Sequence, residues 1–337
     1  MDVVALTRAL IDIESITDNE EHVGEYLFEY LRDLASRTGG EVEKMEVVPR
    51  RFNVFAYWGE PRVTLSTHID TVPPFFPSRE DDTDVWGRGA CDTKGIISSM
   101  IKAAESVLEA GVRNFGMLFV VGEERNSIGA YHAAKTPRGS KYLINGEPTE
   151  NKLALGSKGA LRYEIEARGR MAHSAYPELG ESAINKLLDA LSALRSVKLP
   201  VDDMLGPSTM NIGTLTGGRA PNVIPDFAKA EVFIRLVDSG DATAEAVKQA
   251  VNGKAEAKEV LRIPAVRLGA LDGFETTVVA YTTDIPAFGT AWGQPFLFGP
   301  GTIHVAHTSE ERVPKKQLYE AIEIYAAMLR KLSGSQG

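Results

Sequence analysis

His68 and Asp70 stand on either side of Ile69, just behind the apolar run Val63-Thr64-Leu65. Asp92 lies in the glycine-rich GRGACDTKG, Glu123 and Glu124 close GMLFVVGEE, Glu147 follows KYLING, and His307 follows FLFGPG. Taken singly, Glu123-Glu124 reads as a solvated pair at a loop start, and Asp92 as a turn residue beside glycine. Together they fall at the ends of apolar strands or in loops beside them, which reverses that reading. Carboxylates gathered so densely repel one another and resist ionisation unless a cation sits among them. Histidine with aspartate and glutamate, without paired cysteines, suits zinc, cobalt or manganese, whereas calcium would want oxygen alone. The surplus of ligands points to two ions about 3.5–4 Å apart, sharing a bridging carboxylate and a hydroxide nucleophile.

The elements that must position these residues alternate along the chain. Residues 2–12 and 20–36 have helical periodicity, the second with a capping region at Thr17-Asp18-Asn19-Glu20. VTLSTHID reads as a buried strand and KGIISSMIKAAESVLEAG as a helix closed by Gly111; GMLFVVGEE and KYLINGEP are further strands running into carboxylates. This predicts an α/β catalytic domain with a largely parallel sheet, whose ligands bind outside the carboxyl ends of the strands. From about Leu161 the pattern changes. LRYEIEARGR, STMNIGTLTGG and FAKAEVFIRLVD alternate as strands with one solvated face, and two amphipathic helices accompany them. They predict an inserted α+β module at 159–266, between catalytic segments 1–158 and 267–337. VPPFFP either shapes a pocket rim or simply ends its strand.

A chain of 337 residues, 43% hydrophobic and 25% charged, has ordinary globular composition. A net charge of −9 without a basic stripe argues against nucleic acid as a partner. No run of about 18 apolar residues predicts a membrane span, and the first residues lack the pattern of a secretory signal. A single cysteine, Cys91, forms no internal disulfide. A cytoplasmic location is the expectation.

Read in order, His-Xaa-Asp, GRGACDTKG, the Glu-Glu pair, NGEPT, AHSAYPE and the GPG-to-AHTSEE segment resemble the zinc metallopeptidase family that holds acetylornithine deacetylase, succinyl-diaminopimelate desuccinylase, carboxypeptidase G and the aminoacylases. The resemblance implies a phosphorylase/hydrolase-like catalytic domain with a ferredoxin-like lid and dimerisation domain. It implies that Asp92 bridges two zinc ions, that His68 and Glu147 complete one site, and that Glu124 and His307 complete the other; cobalt or manganese would substitute. Glu123 looks like the general base, and Asp70 resembles the carboxylate that orients His68 through its other ring nitrogen. Family members carry a cis peptide after the bridging aspartate, here Asp92-Thr93. In the insert, His173 matches the histidine that stabilises the oxyanion, often supplied by the partner of a homodimer. Asn222 and Arg235 match positions that hold the substrate's oxygen and carboxylate, the arginine through bidentate hydrogen bonds. Gly299 and Gly301 would let backbone amides approach the substrate closely.

The implied activity is a two-zinc amidohydrolase acting on an N-acyl amino acid, with N-acetyl-L-ornithine in arginine biosynthesis as the nearest substrate. Hydrolases of carrier-linked lysine or ornithine, succinyl-diaminopimelate desuccinylase, dipeptidases and carboxypeptidases share the site. A non-catalytic metal- or amino-acid-binding protein would be expected to lack a ligand or the base, whereas Glu123 and all five ligands are present. Two departures stand out. Asn145 precedes Gly146-Glu147 where several relatives carry an aspartate, and the lid is compact. Of the other histidines, His22 and His132 read as helix-surface residues, and His304 lies beside the motif, bordering the substrate at most. Cys91 reads as a small packed residue of the metal loop.

Overall fold

The strand order in the first of two units is Glu41–Val48, Arg51–Trp58, Phe115–Val120, Val63–His68, Tyr142–Asn145, Gln294–Leu297 and Leu153–Ser157. The computed structural model describes residues 1–334. Its first unit comprises Met1–Leu155, Leu268–Thr277 and the chain from Thr283 onward; the second comprises Gly156–Arg267 and Val278–Thr282. The sheet is mixed. Its four central strands, from Phe115–Val120 to Gln294–Leu297, run parallel, while both flanks pair antiparallel. Every residue of Val63–His68 and Phe115–Val120 is buried, as befits strands covered on both faces.

Register decides where the chemistry gathers. His68 is level with Val120, Ser66 with Asn145, and Asn145 with Leu297. The segments carrying His68, Glu123-Glu124, Glu147 and the Gly299–His307 turn therefore all leave the sheet at one edge. Helices Glu21–Thr38, Gly95–Glu109 and Lys315–Ser333 contribute Leu27, Leu31, Ile97, Met100 and Leu329 to the core that holds this edge in place. The capping expected ahead of the second helix is absent: Glu20 makes no cap hydrogen bond. Its buried carboxylate instead accepts from Arg51 Nε at 2.8 Å and Nη2 at 2.6 Å, and Thr17 donates to Asp70 at 2.8 Å. Those polar residues support the loops, not the helix.

The second unit has strands Thr209–Gly217, Phe227–Leu236, Gly159–Arg168 and Glu256–Ile263 in that spatial order, all antiparallel. With helices Ala183–Arg195 and Asp241–Val251 between strands in chain order, this is the βαββαβ pattern of a ferredoxin-like sheet. Alternate residues of Phe227–Leu236 are buried, placing Val232 and Ile234 in a core with Leu187, Leu191 and Val247. Arg235 lies on the other face. Among the described residues no helix is long and apolar enough to cross a membrane.

Candidate metal centre

His68 ends its strand almost fully buried, with Nε2 3.0 Å from Asp92 Oδ1 and Nδ1 2.9 Å from the carbonyl oxygen of Asp70. The other oxygen of Asp92 lies 3.2 Å from His307 Nε2, which is in turn 3.0 Å from Glu124 Oε2. Asp92 thus presents one oxygen to each histidine, the disposition of a bridging carboxylate. Ligand atoms of His68, Asp92 and Glu124 fall within 4.8 Å of one another. Glu147 is buried, and its Oε1 has no hydrogen-bond partner among the described residues. An orphaned buried carboxylate oxygen beside this cluster fits a divalent cation.

The electrostatics agree. Loss of hydration, followed by repulsion from neighbouring carboxylates, pushes Glu147 and Glu123 well above the usual carboxylate range, with His68 opposing the rise. Hydrogen bonds to Asp92 and Glu124 push His307 up to about 10. Burial alone would depress His68, yet Asp70 and Asp92 raise it. Protons are held here because the donor set demands positive charge, and metal binding would displace them.

Asp70 touches more than His68. Its Oδ1 accepts from the amides of Gly122 at 3.0 Å and Glu123 at 3.1 Å, and its Oδ2 from Glu124 N at 3.2 Å and the Thr17 hydroxyl. The Asp70 carboxylate therefore fixes the turn presenting Glu123 and Glu124, while His68 Nδ1 is met at 2.9 Å by the Asp70 carbonyl oxygen, with Oδ1 further off at 3.5 Å. Burial works to raise its pKa, but these donors and His68 lower it. The Asp92–Thr93 peptide is cis.

Two carboxylates escaped the sequence reading. Asp284 is buried, and among the described residues neither of its oxygens has a partner at hydrogen-bond distance; burial, with Asp70 and Glu124 adding, pushes it up to about 7, while His68 eases its charge. Glu311 is likewise buried, against the Asp92 loop.

The two glycines have a role other than the one expected. Gly299 N donates to Thr149 Oγ1 at 3.0 Å and Gly301 N to Gln317 Oε1 at 2.7 Å, so both amides are occupied within the protein. Their importance is steric. A Cβ on Gly299 would stand 2.5 Å from Glu147 O, and one on Gly301, whose φ is +90°, would stand 2.6 Å from Cys91 Cβ. They let the segment leading to His307 pass close to two ligand loops. His304 is exposed on that turn, His22 is exposed on its helix and His132 is half-buried on Ile128–Ala134. Cys91 is buried, and burial, with Glu311 and Asp92 adding, pushes its thiol far up, which suits packing and not nucleophilic attack.

The remaining candidates belong to the second unit. Ala172–His173 pairs with Val223–Ile224, and Ser174 N donates to the carbonyl oxygen of Asn222 at 3.0 Å, bringing His173 and Asn222 side by side. Both are exposed. The half-buried Arg235 has its guanidinium carbon 4.7 Å from the Phe233 ring centre. Among the ion pairs of the described residues it has no carboxylate partner. Burial lowers its pKa.

These shifts set the pH dependence of the metal-free protein. Glu123, Glu124, Glu147 and Asp284 keep protons in the folded chain at pH values where the unfolded chain has released them. His68 and His307 stabilise the fold below the unfolded histidine pKa, and that contribution fades as pH rises through their folded values. The depressed Asp70 and Asp92 work the other way, but their contribution is complete above about pH 5; buried Lys94, lowered to about 7, opposes the trend above that value, as a single group against several. Chelated protein is therefore expected to melt lower as pH rises from about 5 to 9, by on the order of 10 °C, while zinc-saturated protein changes far less. Melting curves at three pH values check this; a chelated protein that gains stability over the same range contradicts it.

Fold and donor set define a class, the metal-dependent hydrolases of peptide-like bonds. Residues 155–260 match the peptidase dimerisation domain. A peptidase M20 domain-containing protein of Schizosaccharomyces pombe is 38% identical over 337 residues, covering 97% of this chain and 84% of the relative. A probable carboxypeptidase of Aspergillus oryzae is 36% identical over 371 residues, covering 96% and 85%. The fold is similar to that of an M20 family metallo-carboxypeptidase of Sulfolobus solfataricus, with a TM-score of 0.77 at 16% identity over 99% of this chain and 100% of the other. The chain belongs to the M20 peptidase family.

Proposed function

We propose that the protein is a two-metal amidohydrolase that splits the amide joining an acyl group to an amino acid with a free α-carboxylate. That bond is common to N-acyl amino acids and to the carboxyl end of a peptide. The observation that carries the reading is the carboxylate and histidine cluster around the buried Asp92, which faces both the buried His68 and the more exposed His307, with Glu147 Oε1 unpartnered among the described residues. His68, Asp92 and Glu147 would hold one ion, and Asp92, Glu124 and His307 the other, with zinc the reading and cobalt or manganese as substitutes. Bound ions supply Lewis acidity and ease deprotonation of water at neutral pH. Glu123, outside the ligand set and held at its backbone by Asp70, takes a proton from the attacking water and passes it to the departing amine. His173 and Asn222 steady the carbonyl oxygen, and Arg235 holds the substrate carboxylate in a bidentate grip. The matched dimerisation domain supports a homodimer formed through the second unit, with His173 supplied to the partner's site.

Within this class two readings compete. N-acetyl-L-ornithine is favoured by the GPG-to-AHTSEE segment, and carboxyl-terminal cleavage of peptides by the Aspergillus oryzae relative. Release of free amine by zinc- or cobalt-loaded protein should be measured for N-acetyl-L-ornithine, N-succinyl-diaminopimelate, other acetylated amino acids, dipeptides and the carboxamides of each. Free acids should turn over and their carboxamides poorly; equal turnover of both sinks the carboxylate requirement. Arg235→Met is expected to raise KM for the best substrate by roughly 10- to 100-fold with little change in kcat. An unchanged KM removes Arg235 from the substrate.

A further inference from the structure

A carboxylate outside both proposed ligand sets ties two of the ligand segments together. Glu311 lies four residues beyond His307 and is 1% exposed. Its Oε1 accepts from Gly89 N at 2.9 Å and Asp92 N at 3.3 Å, with Cys91 Sγ 3.8 Å away, and its Oε2 accepts from Arg88. The Glu311 carbonyl oxygen accepts from Gly87 N at 3.1 Å. Residues 87–92 are thus wrapped around one side chain. Arg88, the one cation paired with it among the described residues, is fixed by Pro74 O at 3.2 Å and by the Phe76 ring, 4.9 Å from its guanidinium carbon.

We infer that Glu311 is a positioning residue of the metal centre, clamping the loop that carries Asp92 to the segment that carries His307. Asp92 and Glu311 are 219 residues apart in the chain. Without the clamp, bringing Asp92 and His307 together would draw on metal-binding free energy, because their loops would have to be ordered as each ion bound. Glu311 holds this loop through the backbone amides of Gly89 and Asp92, so the grip leaves both Asp92 side-chain oxygens to face the histidines.

The inference rests on the two-metal reading, and the experiment separates the two. Chelated wild type, Glu311→Leu and the double variant Glu311→Leu/Arg88→Met, which lose the acceptor of the Gly89 and Asp92 amides, are titrated with zinc against a competing chromophoric chelator. Each is then loaded with cobalt for its visible spectrum and melted in the metal-free state. The double variant is included because Glu311→Leu alone leaves a buried guanidinium without its anion. Wild type should bind two zinc ions per chain. Both variants should bind about 10- to 100-fold more weakly and give an altered cobalt spectrum, while the metal-free double variant melts within a few degrees of wild type. Wild-type affinity and spectrum in a folded variant overturn the clamp alone, as does an affinity loss no larger than the loss of metal-free stability. A wild type that binds no zinc overturns the two-metal reading itself.

Discussion

Glu123→Gln is expected to keep both metal ions and lose kcat by about 10²- to 10⁴-fold, with KM little changed. The substitution preserves shape and the backbone hydrogen bond from Glu123 N to Asp70, so the turn should still present Glu124. What disappears is the basic oxygen. In the metal-free chain lost hydration, then Glu147, Asp284 and Glu124, drive the Glu123 pKa far up, with His68 opposing. Cations beside it would bring it back towards the range in which one group can both accept and return a proton. Zinc content measured alongside turnover checks the prediction. Full turnover would assign the proton to another group, and parallel loss of zinc would make Glu123 a ligand.

Asp92→Asn should have the opposite signature, losing metal first and activity as a consequence. Asp92 alone offers an oxygen to each histidine, at 3.0 Å from His68 and 3.2 Å from His307. Removing its charge removes a shared partner of both ions. Leaving a buried charge without its partner costs about 3–5 kcal/mol, or roughly 10²–10⁴ in affinity. Dialysed variant protein should carry less than one zinc per chain and show no turnover at limiting metal. Two tightly held ions in this variant would exclude Asp92 as the bridge.

The histidines and carboxylates behind apolar runs were readable because a parallel strand delivers its next residues to one edge of the sheet. His68 ends such a strand, and Glu124 and Glu147 follow theirs within a few residues. Asp284 was not readable: followed by Ile285-Pro286 it looks like a helix cap, and it does precede the short helix Ile285–Phe288, though without capping it. Glu311 was hidden in Glu310-Glu311, of which one side chain is exposed and the other buried. Nothing local to that pair distinguishes them, since the partners of Glu311 lie in residues 87–92. Thr17 and Glu20 were misread for the same reason: they satisfy distant groups, Asp70 and Arg51. Gly299 and Gly301 were recognisable as places where backbone comes close, but the surface approached is Glu147 and Cys91.

The first unit is assembled from three stretches of chain, with most of the second unit lying between Leu155 and Leu268. His307, which meets Asp92 and Glu124 at the centre, leaves the ribosome 215 residues after Asp92. At ordinary elongation rates of about 5–20 residues per second, that is a delay of roughly 10–40 s. Throughout it the earlier carboxylates are without their final histidine and the Asp92 loop is without Glu311. The complete centre therefore forms only after the segment around His307 and Glu311 has been made, and metal uptake at full affinity cannot precede it.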